Sequence, residues 1–179
     1  SPIPAMKRAY SLKSSYMTQI LRRYIFGDEP CEKIIEDPAL LHSNTFEERF
    51  EEMLHPYIGK SRTELKAQFG ITSIAKNINE ILVAAMLGLK GRLASTDEFQ
   101  KASIVPKTIT IGPGNTIKES MYFPAMDFCK MVNEKWEESD LYNCLAPTKF
   151  LFIVFKREDD GEYYFRSIKF WNIPAEDLE

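Results

Sequence analysis

The chain has 179 residues, of which 44% are hydrophobic and 27% charged, and a formal net charge of −3. That composition suits one folded domain with a real core, while the negative balance excludes a uniformly basic nucleic-acid binder. No apolar run approaches the ~20 residues of a membrane span, and no secretory signal opens the chain. The three cysteines, Cys31, Cys129 and Cys144, are dispersed and form no CxxC pair. Neither a disulfide framework nor a zinc site is expected, and a reducing cytoplasm fits.

In chain order, residues 9–25 read as a helix: Tyr16, Ile20 and Tyr24 share one face, Ser11 is placed to cap it, and Gly27 stops it. Residues 28–43, with Pro30 and Pro38, read as loop with a short helical piece. An acidic helix follows from Asn44 to Leu54, capped by Asn44 or Thr45. A short helix from Thr63 to Phe69 ends at Gly70. The clearest helix runs from Lys76 to Leu87, where Ile78, Ile81, Leu82, Ala85 and Met86 make one broad apolar stripe before Gly88.

The pattern then changes to strands. Ile104 to Ile111 is rich in β-branched residues, Gly112-Pro113-Gly114-Asn115 is a turn, and Thr116 to Phe123 reads as the returning strand. A helix is expected over 126–135, and a helix or irregular stretch over 136–145. Lys149 to Lys156 is nearly all apolar, as in a strand buried on both faces. Asp160-Gly161 turns the chain into a partner strand from Tyr163 to Phe170. This order of elements predicts a mixed α/β domain.

Charge is segregated along the chain. Residues 1–27 carry only basic charges, 28–59 are strongly acidic, 60–118 are basic, and the remainder is acidic again. Such blocks give either solvated faces or one DNA-facing side. Lys60, Arg62, Lys66 and Lys76 lie near predicted helix starts, where they would line a phosphate groove or face water.

The chemistry-bearing stretch is Asp97 to Ile109. It places an acid pair, Asp97 and Glu98, at a strand entrance, and Lys107 in the strand. Metal-dependent DNA hydrolysis uses carboxylates to hold Mg²⁺ and a cation near the attacking water. Residues two apart on a strand share a face, so an acid-x-lysine tripeptide aims both groups at one phosphate.

Glu98-Phe99, Ile104 and Lys107-Thr108-Ile109 resemble the pattern acid-Phe-x-x-x-Gly-[Val/Ile]-Glu-x-Lys-Thr-Ile of the MutH and Sau-type nucleases specific for GATC. Tyr57 to Ser61, Met86-Leu87-Gly88, Ile117 to Met121, Trp136 to Ser139, Lys149 to Phe152 and Phe170 to Pro174 are similar to further family phrases in the same order. The likeness is nearest to the C-terminal half of the Sau-type enzymes, which carry two related nuclease-fold domains.

The resemblance implies an α/β, restriction-endonuclease-like (MutH-like) fold: a mixed central sheet flanked by helices over 56–179, preceded by a helical N-terminal or linker segment, 1–55. Its base-reading loops would follow the phrase ending at Pro174, so the C-terminal part is expected to be truncated. It also implies what has changed. Val105 stands where the motif glutamate belongs, Ala84 where a helix acid belongs, and Glu98 where the family's first acid is an aspartate; only Lys107 is unaltered.

Valine offers no oxygen to Mg²⁺. No catalytic set and no metal site are therefore assigned. Glu80, Asp97 and Glu119 are the candidate substitute acids, and Glu98 with Lys107 is the remnant. The resemblance places Lys149 near a phosphate, which together with Lys60, Lys76 and Lys107 gives the DNA-binding candidates. Trp136 and Trp171 are expected as packing residues.

The expected function is DNA binding, with allosteric action, by a catalytically degenerate domain. Double-stranded DNA and a catalytic nuclease domain of the same full-length protein are the expected partners. Mg²⁺ would serve that partner domain and no cofactor this one; a dimer fits, a membrane does not. The alternatives are an active Mg²⁺-dependent endonuclease of restriction or mismatch-repair type, and a structural or dimerising domain.

Overall fold

A computed structural model describes residues 12, 14–27, 31–117, 125 and 127–178. Ser11, Pro30 and Glu119, and most of the returning strand expected over 116–123, lie outside the described residues. Of that strand, only the bridge Ile111 to Ile117 is on view, closing the glycine turn.

Helix α1 (Ser14–Leu21) continues as π-helical turns over Arg22–Phe26 and ends at Gly27, whose φ of 69° needs a residue without a Cβ. The Pro38–Leu41 turn is 3₁₀. Helix α2 (Phe46–Leu54) starts at a reciprocal cap. The Glu48 N–H donates to Thr45 Oγ1 at 3.2 Å, and the Thr45 N–H donates to the Glu48 carboxylate at 2.8 Å. Ser61 and Glu64 repeat this device for α3 (Arg62–Gln68). Helix α4 (Ile78–Met86) buries Ile78, Leu82, Val83, Ala84 and Met86.

Asp97–Ala102 forms a short helix, α5. This corrects the reading of Asp97 and Glu98 as an acid pair at a strand entrance: both sit in the first turn of a helix that precedes the strand. The join is tight. Ser103 has φ 53° and ψ 44°, in the left-handed region, at the position the family pattern fills with glycine. A Cβ costs about 1 kcal/mol or more there. Ser103→Gly is therefore expected to raise stability by up to about 1 kcal/mol in urea unfolding, glycine's extra unfolded-state entropy offsetting part of the gain.

Strands β1 (Ile104–Ile111), β2 (Lys149–Arg157) and β3 (Tyr163–Asn172) form one mixed sheet in the order β1-β2-β3. β1 runs parallel to β2 and β3 antiparallel to it. The apolar strand is thus central, as its composition requires. Between β1 and β2 lie α6 (Phe128–Asn133) and α7 (Asp140–Leu145).

Side chains alternate across the sheet. Leu151, Ile153 and Phe155 of β2, with Ile104 and Phe165 from its neighbours, face α2, α4 and α5 and form the main core. Ile34, Ile35, Phe50 and Leu54 belong to that same core. The boundary expected at residue 55 therefore crosses continuous packing, and the acidic helix α2 is part of the domain body rather than of a linker. On the opposite face lie Val105 and Lys107 of β1, and Phe150 and Phe152 of β2. No helix among the described residues is long and apolar enough to cross a membrane.

Candidate functional site: a degenerate carboxylate–lysine motif

β1 presents Val105 and Lys107 two residues apart on one sheet face, which is the geometry the tripeptide needs. Val105 is 36% exposed. Its register partner is Phe150, and that of Lys107 is Phe152. On the β2 side, the residues opposite the two motif positions are thus aromatic.

Two of the remaining acids, Glu98 and Asp97, are engaged elsewhere. Glu98 Oε1 accepts the backbone N–H groups of Ile34 and Ile35, each at 3.0 Å, and Oε2 accepts the Ile34 N–H at 3.2 Å. Ile34 and Ile35 are buried, so the carboxylate satisfies two donors that water cannot reach. Asp97 is paired with the Lys101 ammonium at 2.7 Å and also accepts the Gln19 side-chain amide. Ala84 lies 6% exposed on α4. It lines a cleft of about 410 Å³ with Glu80, Lys90 and Arg92, a cleft that neither Glu98 nor Lys107 borders. Glu80 Oε1 is buried there without a hydrogen-bond partner among the described residues. Among those residues, no three His, Cys, Asp or Glu side chains stand together as a cation cage. Mg²⁺ takes hard oxygen ligands in near-octahedral array, and Val105 supplies none where the motif glutamate would stand.

The four DNA-binding candidates do not gather on one surface. Lys107 is half-buried on the sheet face away from the helices. Lys149 pairs in register with Ile104, on the helix side, and its ammonium hydrogen-bonds the Glu47 carboxylate at the start of α2. That bond holds the Glu47 carboxyl below its ordinary range. Lys60 donates to Gln68 at 2.8 Å and lies 5.3 Å from the centre of the Tyr57 ring. Segment 59–61 runs beside β3: the Gly59 N–H donates to Phe165 O and the Phe165 N–H to Lys60 O. Lys76 is exposed just before α4. Arg62 stacks 4.0 Å from the Tyr163 ring centre.

The Glu47–Lys149 pair fixes a pH dependence. A carboxyl whose folded pKa is depressed stabilises fully above its unfolded value, here 4.5, and loses that contribution as pH falls through the folded value. Glu47→Gln is expected to cost about 0.2–1 kcal/mol at pH 7, since both side chains are about a third exposed. The difference from wild type should shrink below about pH 4.5 in urea titrations at a series of pH values.

Sequence reasoning missed three residues. Glu32 accepts the Lys90 and Gly91 N–H groups, which holds its carboxyl below the ordinary range. Glu47 bonds a lysine far along the chain, and Lys169 occupies the face of Lys107. Only the strand alternation of 163–170 carried a local hint, and only for Lys169. Trp136 is a packing residue as expected: its indole N–H donates to Leu178 O and its ring meets Tyr142 edge-on.

A comparison with characterised proteins now bears on this geometry. No family model matches the chain. One relative, described as the type II restriction enzyme Sau3AI of Staphylococcus aureus, is 40% identical over 99% of this chain. The chain belongs to the Sau-type restriction endonuclease family. It spans 39% of the length of that relative. The mixed three-stranded sheet flanked by helices is compatible with the restriction-endonuclease-like fold expected of a Sau-type domain.

Proposed function

We propose that this chain is a DNA-binding, catalytically degenerate domain of a type II restriction endonuclease that recognises GATC in the cytoplasm. It acts allosterically on a catalytic nuclease domain of the same full-length protein, and the Mg²⁺ of the reaction serves that domain. The observation that carries the reading is the pairing of Val105 with Lys107 on one strand face while the Glu98 carboxylate is engaged by the backbone of Ile34 and Ile35. A valine in the place of the motif glutamate offers no oxygen to a metal ion, whereas a lysine in the strand can still neutralise a phosphate. Binding of a second GATC site here would favour the active state of the partner domain through differential affinity. The length of the restriction-enzyme relative beyond this chain supports a partner domain.

The orphaned oxygen of Glu80 favours one second reading: an active Mg²⁺-dependent endonuclease that uses Glu80 with Glu98 and Lys107. One titration separates the two. A GATC duplex and a scrambled duplex are bound with and without Mg²⁺ while nicks are scored. The degenerate-domain reading expects binding that weakens with salt, a preference for GATC, and no nicks at any Mg²⁺ concentration. Mg²⁺-dependent nicking lost in Lys107→Ala would establish the second reading instead.

A further inference from the structure

The outer edge of the sheet is only half covered. Among the described strands, β3 pairs with β2 alone. On its other side, segment 59–61 covers the first half of the strand: the Gly59 N–H donates to Phe165 O at 2.8 Å, and the Phe165 N–H to Lys60 O at 3.0 Å. Arg166 is the extra residue of a bulge, because Phe155 pairs with Phe165 and Val154 with Ser167. Past it, from Ser167 to Trp171, no described residue other than those of β2 bonds the backbone of β3. An open edge presents a row of N–H and C=O groups that pair readily with another extended segment.

A cleft of about 670 Å³ runs beside that open edge, between β3 and α2. Its floor is apolar: Leu54 and Phe165 are buried, and Ile58 and Ile168 also line it. Its α2 wall is acidic, formed by Glu48, Glu51 and Glu52, all exposed. Glu52 is paired with Arg49, but Glu51 makes no ion pair with any described residue. Of the residues that line the cleft, Lys169 alone is a lysine or arginine. The wider segment has the same sign, since residues 28–59 hold nine acids against Lys33 and Arg49.

We infer that this groove takes an extended, basic segment of the same full-length protein from outside this chain, added as a further strand along Ser167–Trp171. Strand addition needs an open edge for main-chain hydrogen bonds and a flanking groove for alternate side chains, and both meet here. The acidic wall selects Lys or Arg, whose stems lie on the apolar floor while their charged heads reach the carboxylates. The same wall repels an acidic segment and a nucleic-acid backbone. The restriction-enzyme relative extends well beyond the 39% of its length that this chain spans, which leaves ample polypeptide to supply the segment. Covalent attachment gives such a segment a high effective concentration, an advantage over any unattached peptide. The inference rests on the partner-domain part of the proposed function and names the surface where that domain meets this one. A contact made in one state of the partner domain and not in the other lets binding here bias its activity.

Hydrogen exchange in the full-length protein and in this chain alone tests the groove. The outward-facing amides of Ser167–Trp171 are expected to exchange at least roughly tenfold more slowly in the full-length protein, while those between β1 and β2 report the same fold in both. Glu51→Lys, at an exposed position, should reduce that protection about threefold or more and leave the β1–β2 amides unchanged. A carbodiimide, which joins a carboxylate to a nearby amine, should link Glu48 or Glu51 to a lysine outside this chain. Equal exchange of Ser167–Trp171 in the two proteins would overturn the inference. So would protection that this chain shows by itself and loses on dilution, which would make a second copy the occupant. Absence of protection together with salt-dependent duplex binding would sink the groove and leave the DNA-binding reading standing; protection without any duplex binding would do the reverse.

Discussion

Phe50→Ala is expected to lower the midpoint of a single cooperative unfolding transition by roughly 6–20 °C. Phe50 is fully buried, and its ring centroid lies 5.7 Å from Phe46, 5.8 Å from Phe99 and 5.4 Å from Phe170. Those three partners come from α2, α5 and β3, so one side chain ties the acidic helix to both the motif segment and the sheet. Truncating a buried phenylalanine costs about 3–5 kcal/mol, because the cavity cannot collapse fully. Set against a total of about 5–15 kcal/mol, that is a large fraction of the stability. Differential scanning calorimetry checks both the size and the cooperativity. A shifted single transition means that residues 34–54 fold with the sheet. Two transitions, with the later one unmoved, would restore the linker boundary at residue 55.

The elements most legible in the sequence are those whose pattern is local. The stripe of α4, the cap at Thr45, and the apolar run of β2 each announce themselves within one or two turns or one strand. α5 was misread because six residues give too few turns for a helical period to show, and its two acids resembled the opening of the strand motif. The loss of the family acids at Ala84 and Val105 was also legible, since a substitution in a known pattern needs no tertiary structure. What was not legible depends on distant register. Lys149 meets Glu47, and Lys107 shares a row with Lys169, only because parallel β1–β2 and antiparallel β2–β3 pairings fix which residues lie opposite each other. A slip of one residue in β3 would move Lys169 to the core face and Phe170 to the solvent face. Burying Phe170 against Phe46 and Phe50 is what selects the observed register.

Glu98 distinguishes a structural carboxylate from a catalytic remnant, and its removal has the second large effect. Glu98→Ala is expected to destabilise the chain by about 2–5 kcal/mol in urea, because it orphans the N–H groups of Ile34 and Ile35 inside buried surroundings at about 1–3 kcal/mol each. Glu98→Gln should cost less, about 1–2 kcal/mol, since one amide oxygen in the place of Oε1 can still accept both donors and only the charge is lost. A carboxylate kept for a cation behaves in the opposite way. Its removal relieves an unfavourable site and commonly raises stability, and it abolishes any stabilisation by added Mg²⁺. The sign of the Glu98→Ala effect, measured with and without Mg²⁺, therefore decides which role the residue has. Destabilisation that is indifferent to the metal assigns Glu98 to the joint between the 31–35 segment and α5, and a gain in stability with loss of a Mg²⁺ response returns it to a metal site.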